Sequence, residues 1–184
     1  MNAGCNDLVV DARGVARFRG RRFSCSIGRS GIVTSKTEGD GGTPTGSFHL
    51  EQIYYRADRG LRPKSLLPTA AIRTNDGWSD DPSDRDYNHR VSLPHAYRHE
   101  TLRRGDWLYD IVVVFDANRA PVVPGAGSAL FLHLRRNVGV PTEGCIAFSR
   151  PDLEWILENW TLKSRLVVNP QPTACVRRTP QIQS

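Results

Sequence analysis

One run, Tyr109-Asp110-Ile111-Val112-Val113-Val114-Phe115, constrains this chain more than any other segment. Five consecutive apolar residues, three of them β-branched valines, fit a pleated strand far better than a helix. Because the run does not alternate with polar residues, it reads as a buried central strand. Ala129-Leu130-Phe131-Leu132-His133-Leu134 is a second run of this kind, and two arginines, Arg135 and Arg136, follow it.

Shorter strands are expected around these two. Leu8-Val9-Val10, Val15 to Phe18 and Phe23 to Ile27 show apolar–polar patterning, with Gly14 and Gly20 as turn signals between them. They predict a three-stranded meander. Ser47 to Tyr55 predicts a further strand whose pattern slips register around Gln52. Ser149 is placed to cap a helix, with the carboxylate of Asp152 three residues on. Leu153, Ile156, Leu157 and Trp160 then form an apolar stripe at helical spacing. Leu166-Val167-Val168 predicts a last strand. Sixteen glycines and twelve prolines favour turns and long loops over a helical bundle. The expected class is mostly β, or α+β, with one clear helix.

The chain's 184 residues suit one domain, here residues 1–168, with 169–184 as a flexible tail. Residues 56–107 are expected to form a long irregular insertion that shapes one side of a cleft. The formal net charge of +6 implies affinity for polyanions in general. The arginines are scattered and no nucleic-acid-binding motif accompanies them, so no nucleic-acid role is expected. No apolar run reaches membrane-spanning length. Met1 to Leu8 shows no basic segment followed by an apolar one, so no secretory signal is visible. Cys5, Cys25, Cys145 and Cys175 include no C-x-x-C pair, which argues against a local zinc site and leaves any disulfide pairing open.

Chemistry concentrates at His133 and Thr142-Glu143-Gly144-Cys145. A strand end and a loop returning beside it can bring an imidazole and a thiol together. A free thiol with a pKa of roughly 8.5 is only a few per cent ionised at neutral pH, and a neighbouring imidazole removes its proton to make a nucleophile. Gly144 permits a close backbone approach, and amides around Cys145 could face the oxygen of a tetrahedral intermediate. The alternative is a cysteine serving as a small buried hydrophobe and a histidine serving as a polar strand tip. A metal site using His133 and Cys145 lacks ligand spacing.

Two motifs favour the nucleophile. Lys36-Thr37-Glu38-Gly39-Asp40-Gly41-Gly42-Thr43-Pro44-Thr45-Gly46-Ser47-Phe48 resembles the glycine stretch and Thr-Pro-x-Gly-x-Phe of the L,D-transpeptidase catalytic domain family, the YkuD domain. Phe131-Leu132-His133 with Pro141-Thr142-Glu143-Gly144-Cys145-Ile146 is similar to that family's histidine followed by Ser/Thr-x-Gly-Cys. The resemblance runs from about Leu8 to about Val168 and implies a YkuD-like β-sandwich or barrel-like domain. It implies a cysteinyl thioester on Cys145, general acid–base work by His133, peptidoglycan stem peptides as substrates, sensitivity to carbapenem-type inhibitors and no cofactor. It also implies work in the periplasm or cell wall. Transfer to an acceptor amine, hydrolysis by an L,D-carboxypeptidase or amidase, and a non-catalytic peptidoglycan-binding module all remain open. The chain resembles a divergent branch: Glu143, Ala147 and Leu134 stand where most members carry His, Arg and Gly. Arg150, Arg135 or Arg136 are candidates for the missing charge. Thr142, Tyr109 and Asp110 are further candidates at the site, and Tyr54, Trp78, Tyr87 and His89 are weaker ones.

Overall fold

The computed structural model describes Gly4 and residues 6–171, so Cys5, Cys175 and most of the expected tail lie outside the described residues. Two five-stranded sheets form the body. The first contains β1 (Leu8–Asp11), β2 (Val15–Phe18) and β3 (Arg21–Ser24), with β6 (Gly46–Phe48) and β15 (Leu166–Asn169), in the order β3-β2-β1-β15-β6. The expected meander is there: β1 pairs antiparallel with β2, and β2 with β3. Gly14 and Gly20 make its turns at φ 68° and 78°, a region costly for residues with a Cβ. The third strand starts earlier and ends earlier than its pattern suggested.

The second sheet contains β7 (Leu50–Tyr55), β8 (Thr69–Ala71), β12 (Ile111–Phe115), β13 (Phe131–Leu134) and β14 (Ile146–Phe148), in the order β14-β13-β12-β7-β8. All five residues of β12 are buried at the centre of this sheet. The single strand expected over 47–55 is two strands, broken at His49, and each half joins a different sheet. The perceived slip near Gln52 has a counterpart. Gln52 pairs with Val114 and Leu50 with Phe115, so one residue is skipped where the register shifts.

The chain therefore crosses between the sheets at His49. They are joined again on the far side, where Ser26, just past β3, bridges Ala147 of the edge strand β14. A short pair, β4 (Ile32–Val33) with β5 (Thr43–Pro44), braces the glycine loop. α1 (Arg150–Glu158) begins as expected: the Ser149 hydroxyl accepts from the Asp152 N–H. Leu153, Ile156 and Leu157 enter the core, and Trp160 packs just beyond the helix against Phe18.

Alternation along the central strands divides the interior in two. Ile111, Val113 and Phe115 of β12, with Leu132 and Leu134 of β13, face the first sheet and α1. Val112, Val114 and Phe131 point the other way, toward Ile72, Trp78 and Leu102. Those three come from residues 56–107. The segment carries more order than its pattern suggested: besides β8 it holds β9 (Asp76–Ser79), β10 (Arg90–Ser92) and β11 (His99–Thr101), a three-stranded sheet of its own. This small sheet covers the second face of the central strands, which explains why β12 has no polar positions.

Candidate active site

His133 sits opposite Val112 on β13, so strand alternation turns it to the face covered by residues 56–107. Cys145 is the residue before β14, whose Ile146 and Phe148 go to the main core. The thiol thus falls on the same side as the imidazole. Both side chains are almost fully buried, at 9% and 7% exposure, and both line one cavity of about 500 Å³.

Each is held by the backbone. The Cys145 thiol donates to the Ala129 carbonyl at 3.1 Å and its sulfur accepts from the Phe131 N–H at 3.3 Å. His133 Nδ1 lies 2.8 Å from the Leu134 carbonyl oxygen. A carbonyl only accepts, so Nδ1 carries the proton, and in the neutral ring Nε2 is left with a lone pair. Burial pushes the Cys145 thiol up to about 12, against a smaller opposing pull from the Phe131 amide. Burial also pushes the His133 imidazole down to about 4, with the Leu134 carbonyl opposing. At neutral pH the pair is therefore a thiol and a neutral imidazole rather than an ion pair.

Gly144 has φ 136°, and a Cβ there would meet the Gly42 carbonyl oxygen at 2.9 Å. That close packing joins the two sequence motifs, because the Thr43 hydroxyl donates to the Gly144 carbonyl and accepts from the Gly28 N–H. Thr142 does not aim its hydroxyl at the cavity alone. It donates to the Cys145 carbonyl at 2.6 Å and accepts from the Gly144 N–H at 3.2 Å, which engages that amide within the loop. Glu143 is exposed and meets the Arg29 guanidinium.

Tyr109 does reach the site. Its ring stands edge-on to His133 at 5.3 Å, and its hydroxyl donates to Glu100 at 2.9 Å. Arg135 and Arg136 line the cavity, but Arg150 does not. Its guanidinium is held by Asp110, which also binds Arg59, so the expectation for Arg150 and for Asp110 at the site is corrected. Trp78 is core, donating to Asn88 and packing on Phe131. Tyr87 donates to Glu38, His89 bonds the Tyr87 carbonyl, and Tyr54 carries Arg90 over its ring; none of the three lines the cavity.

The rest of the wall was missed from sequence. Glu38, Asp80 and Glu100 supply negative charge, and Lys36, Arg98 and Arg104 supply positive charge. Ala129, at φ 50°, supplies the carbonyl that holds the thiol. Only Lys36 and Glu38 lay inside a motif.

The family model for the L,D-transpeptidase catalytic domain, YkuD, matches residues 7–168. The chain belongs to this family. The match spans both motifs and both sheets of the YkuD fold, including the segment 56–107. No curated protein and no solved structure matches the chain. YkuD domains act on peptidoglycan stem peptides. Among the described residues, no helix is long and apolar enough to cross a membrane, and no group of three or more His, Cys, Asp or Glu is placed to hold a metal.

Proposed function

We propose that this YkuD domain is a peptidoglycan L,D-transpeptidase in which Cys145 is the nucleophile and His133 the general base and acid. The observation that carries the reading is the placement of the pair: the Cys145 thiol and the His133 imidazole, its Nδ1 held by the Leu134 carbonyl, line one cavity from the same face of the second sheet. Bound substrate displaces water from this cavity. Cys145 Sγ attacks the carbonyl at the L-centre of a stem peptide's diacid residue as His133 Nε2 takes the thiol proton. The tetrahedral intermediate collapses, the C–N bond breaks, and His133 returns the proton to the departing D-amino acid. A thioester remains. The amine of a second stem attacks it, His133 takes the amine's proton, and the thiolate leaves and is reprotonated. The Phe131 N–H, already directed at the sulfur, stabilises thiolate whenever it forms.

The mixed charge of the wall supports a zwitterionic peptide. Carboxylates of Glu38 and Glu100, which accept from hydroxyl groups, suit ammonium groups, while Arg135, which bonds a carbonyl rather than a carboxylate, suits a substrate carboxylate. Work in the periplasm or cell wall, and acylation by carbapenem-type inhibitors, follow from the same reading.

The test is intact mass after incubation with a stem tetrapeptide. Wild type is expected to gain the acyl mass with loss of the terminal D-amino acid, and Cys145→Ala to gain nothing. Cross-linked dimers among the products mean transfer, whereas shortened monomers alone mean an L,D-carboxypeptidase. A wild-type protein that binds peptidoglycan without any adduct would make the domain a binding module and end the enzymatic reading.

A further inference from the structure

The catalytic reading leaves the most basic part of the molecule unused. Between Ala12 and Ser24 the chain carries Arg13, Arg17, Arg19, Arg21 and Arg22 and no acidic residue. All five fall on or beside the β2–β3 hairpin at the edge of the first sheet. The nearest carboxylate, Asp11, is fully buried and shared by Arg13 and Arg17, so one negative charge answers two positive ones. Arg19, Arg21 and Arg22 are exposed. Arg21 alternates to the other face of β3 from Arg22, where its guanidinium carbon lies 4.2 Å from the Trp155 ring centroid.

Register connects this patch to the cavity. Arg17 and Arg22 are directly paired across the hairpin, and Val15 is paired with Ser24. Strand alternation puts Arg22 and Ser24 on the same face, about 7 Å apart. The Arg135 guanidinium binds the Ser24 carbonyl at 2.9 Å, and Arg135 itself lines the cavity beside Arg136. The exposed Arg22 is thus two residues along β3 from the carbonyl that holds Arg135 at the cavity wall.

We propose that this arginine track binds polymeric peptidoglycan through the carboxylates of stem peptides neighbouring the one in the cavity. The assignment rests on the proposed function for its choice of polyanion. A membrane surface fits less well, because none of the exposed large apolar side chains lies between residues 12 and 24. Single-stranded nucleic acid also fits less well, because Phe18 and Phe23 are buried and offer no stacking face. Arginine suits the proposed ligand through its planar, bidentate fit to a carboxylate.

Arg19→Glu/Arg22→Glu tests the proposal, since both side chains lie outside the cavity. Wild type and variant are compared for co-sedimentation with purified sacculi at low and high salt, with thermal midpoints measured in parallel. Wild type is expected to bind at low salt and be released at high salt, and the variant to bind at least about tenfold more weakly, given how steeply charged surfaces steer polyanions. Acylation of Cys145 by a soluble stem tetrapeptide is expected to be equal in the two. Equal sacculus binding by a folded variant, salt-insensitive binding by wild type, or tighter binding to anionic vesicles or single-stranded DNA than to sacculi would overturn the track. Failure of acylation with binding intact would instead overturn the catalytic reading.

Discussion

Buried side chains with opposite shifts shape the pH behaviour at the residue scale. His133 is held at about 4 in the folded protein, below its ordinary 6.5. As pH falls through 6.5 the unfolded chain takes a proton that the folded one refuses, so this residue's contribution is complete above 6.5 and is lost toward pH 4. Cys145 and Cys25 are pushed up to about 12 from 9.0, chiefly by burial. Their contribution is complete below pH 9 and is lost as pH rises to 12, because the unfolded chain ionises first. Urea midpoints measured against pH should show both losses, and Cys25→Ala/Cys145→Ala should flatten the alkaline one. Tyr109 offers a second residue-level check. Tyr109→Phe keeps the ring against His133 and is expected to retain most acylation. Tyr109→Ala opens that side of the imidazole and is expected to cost stability by roughly 3–5 kcal/mol as well as rate, measured by denaturation and adduct formation.

Strand alternation decides which chemistry was legible at the element scale. The paired motifs announced His133 and Cys145, and period-two geometry then placed both on the same face of the second sheet. The helix was readable for local reasons: a cap, an acidic first turn and a stripe at the right spacing. The break at His49 was not, because apolar residues continue on both sides and only the sheet each half joins separates them. Arg150 is absent from the cavity wall: closeness in sequence says nothing about the direction of a helix N-terminus, and the Arg150 guanidinium is held by Asp110. The loop before β14 makes its own prediction. Gly144→Ala adds a Cβ 2.9 Å from the Gly42 carbonyl oxygen at a left-handed φ, and is expected to lose about 1–3 kcal/mol of stability. It should also misplace the adjacent thiol, seen as slower acylation at temperatures where the variant stays folded.

The whole molecule works as a base of two joined sheets with a third, smaller sheet closed over the site. Asn88 is the main fastening between base and cover. Buried at φ 58°, it accepts from Trp78 Nε1 and the Ala129 N–H and donates to the carbonyls of Ala117 and Asn118. Removing it orphans several buried polar groups, each worth about 1–3 kcal/mol. Asn88→Ala is therefore expected to destabilise by about 3 kcal/mol or more, and to speed alkylation of Cys145 by iodoacetamide in the remaining folded protein. None of this was readable from residues 56–107, whose order comes from contacts with strands far along the chain rather than from local pattern.

The Ala129 carbonyl that holds the thiol proton has one more consequence. It is the thiolate that attacks peroxide, so a buried sulfur kept protonated is a poor reductant. Cys145 is therefore expected to resist conversion to a sulfenic acid by peroxide while no peptide occupies the cavity.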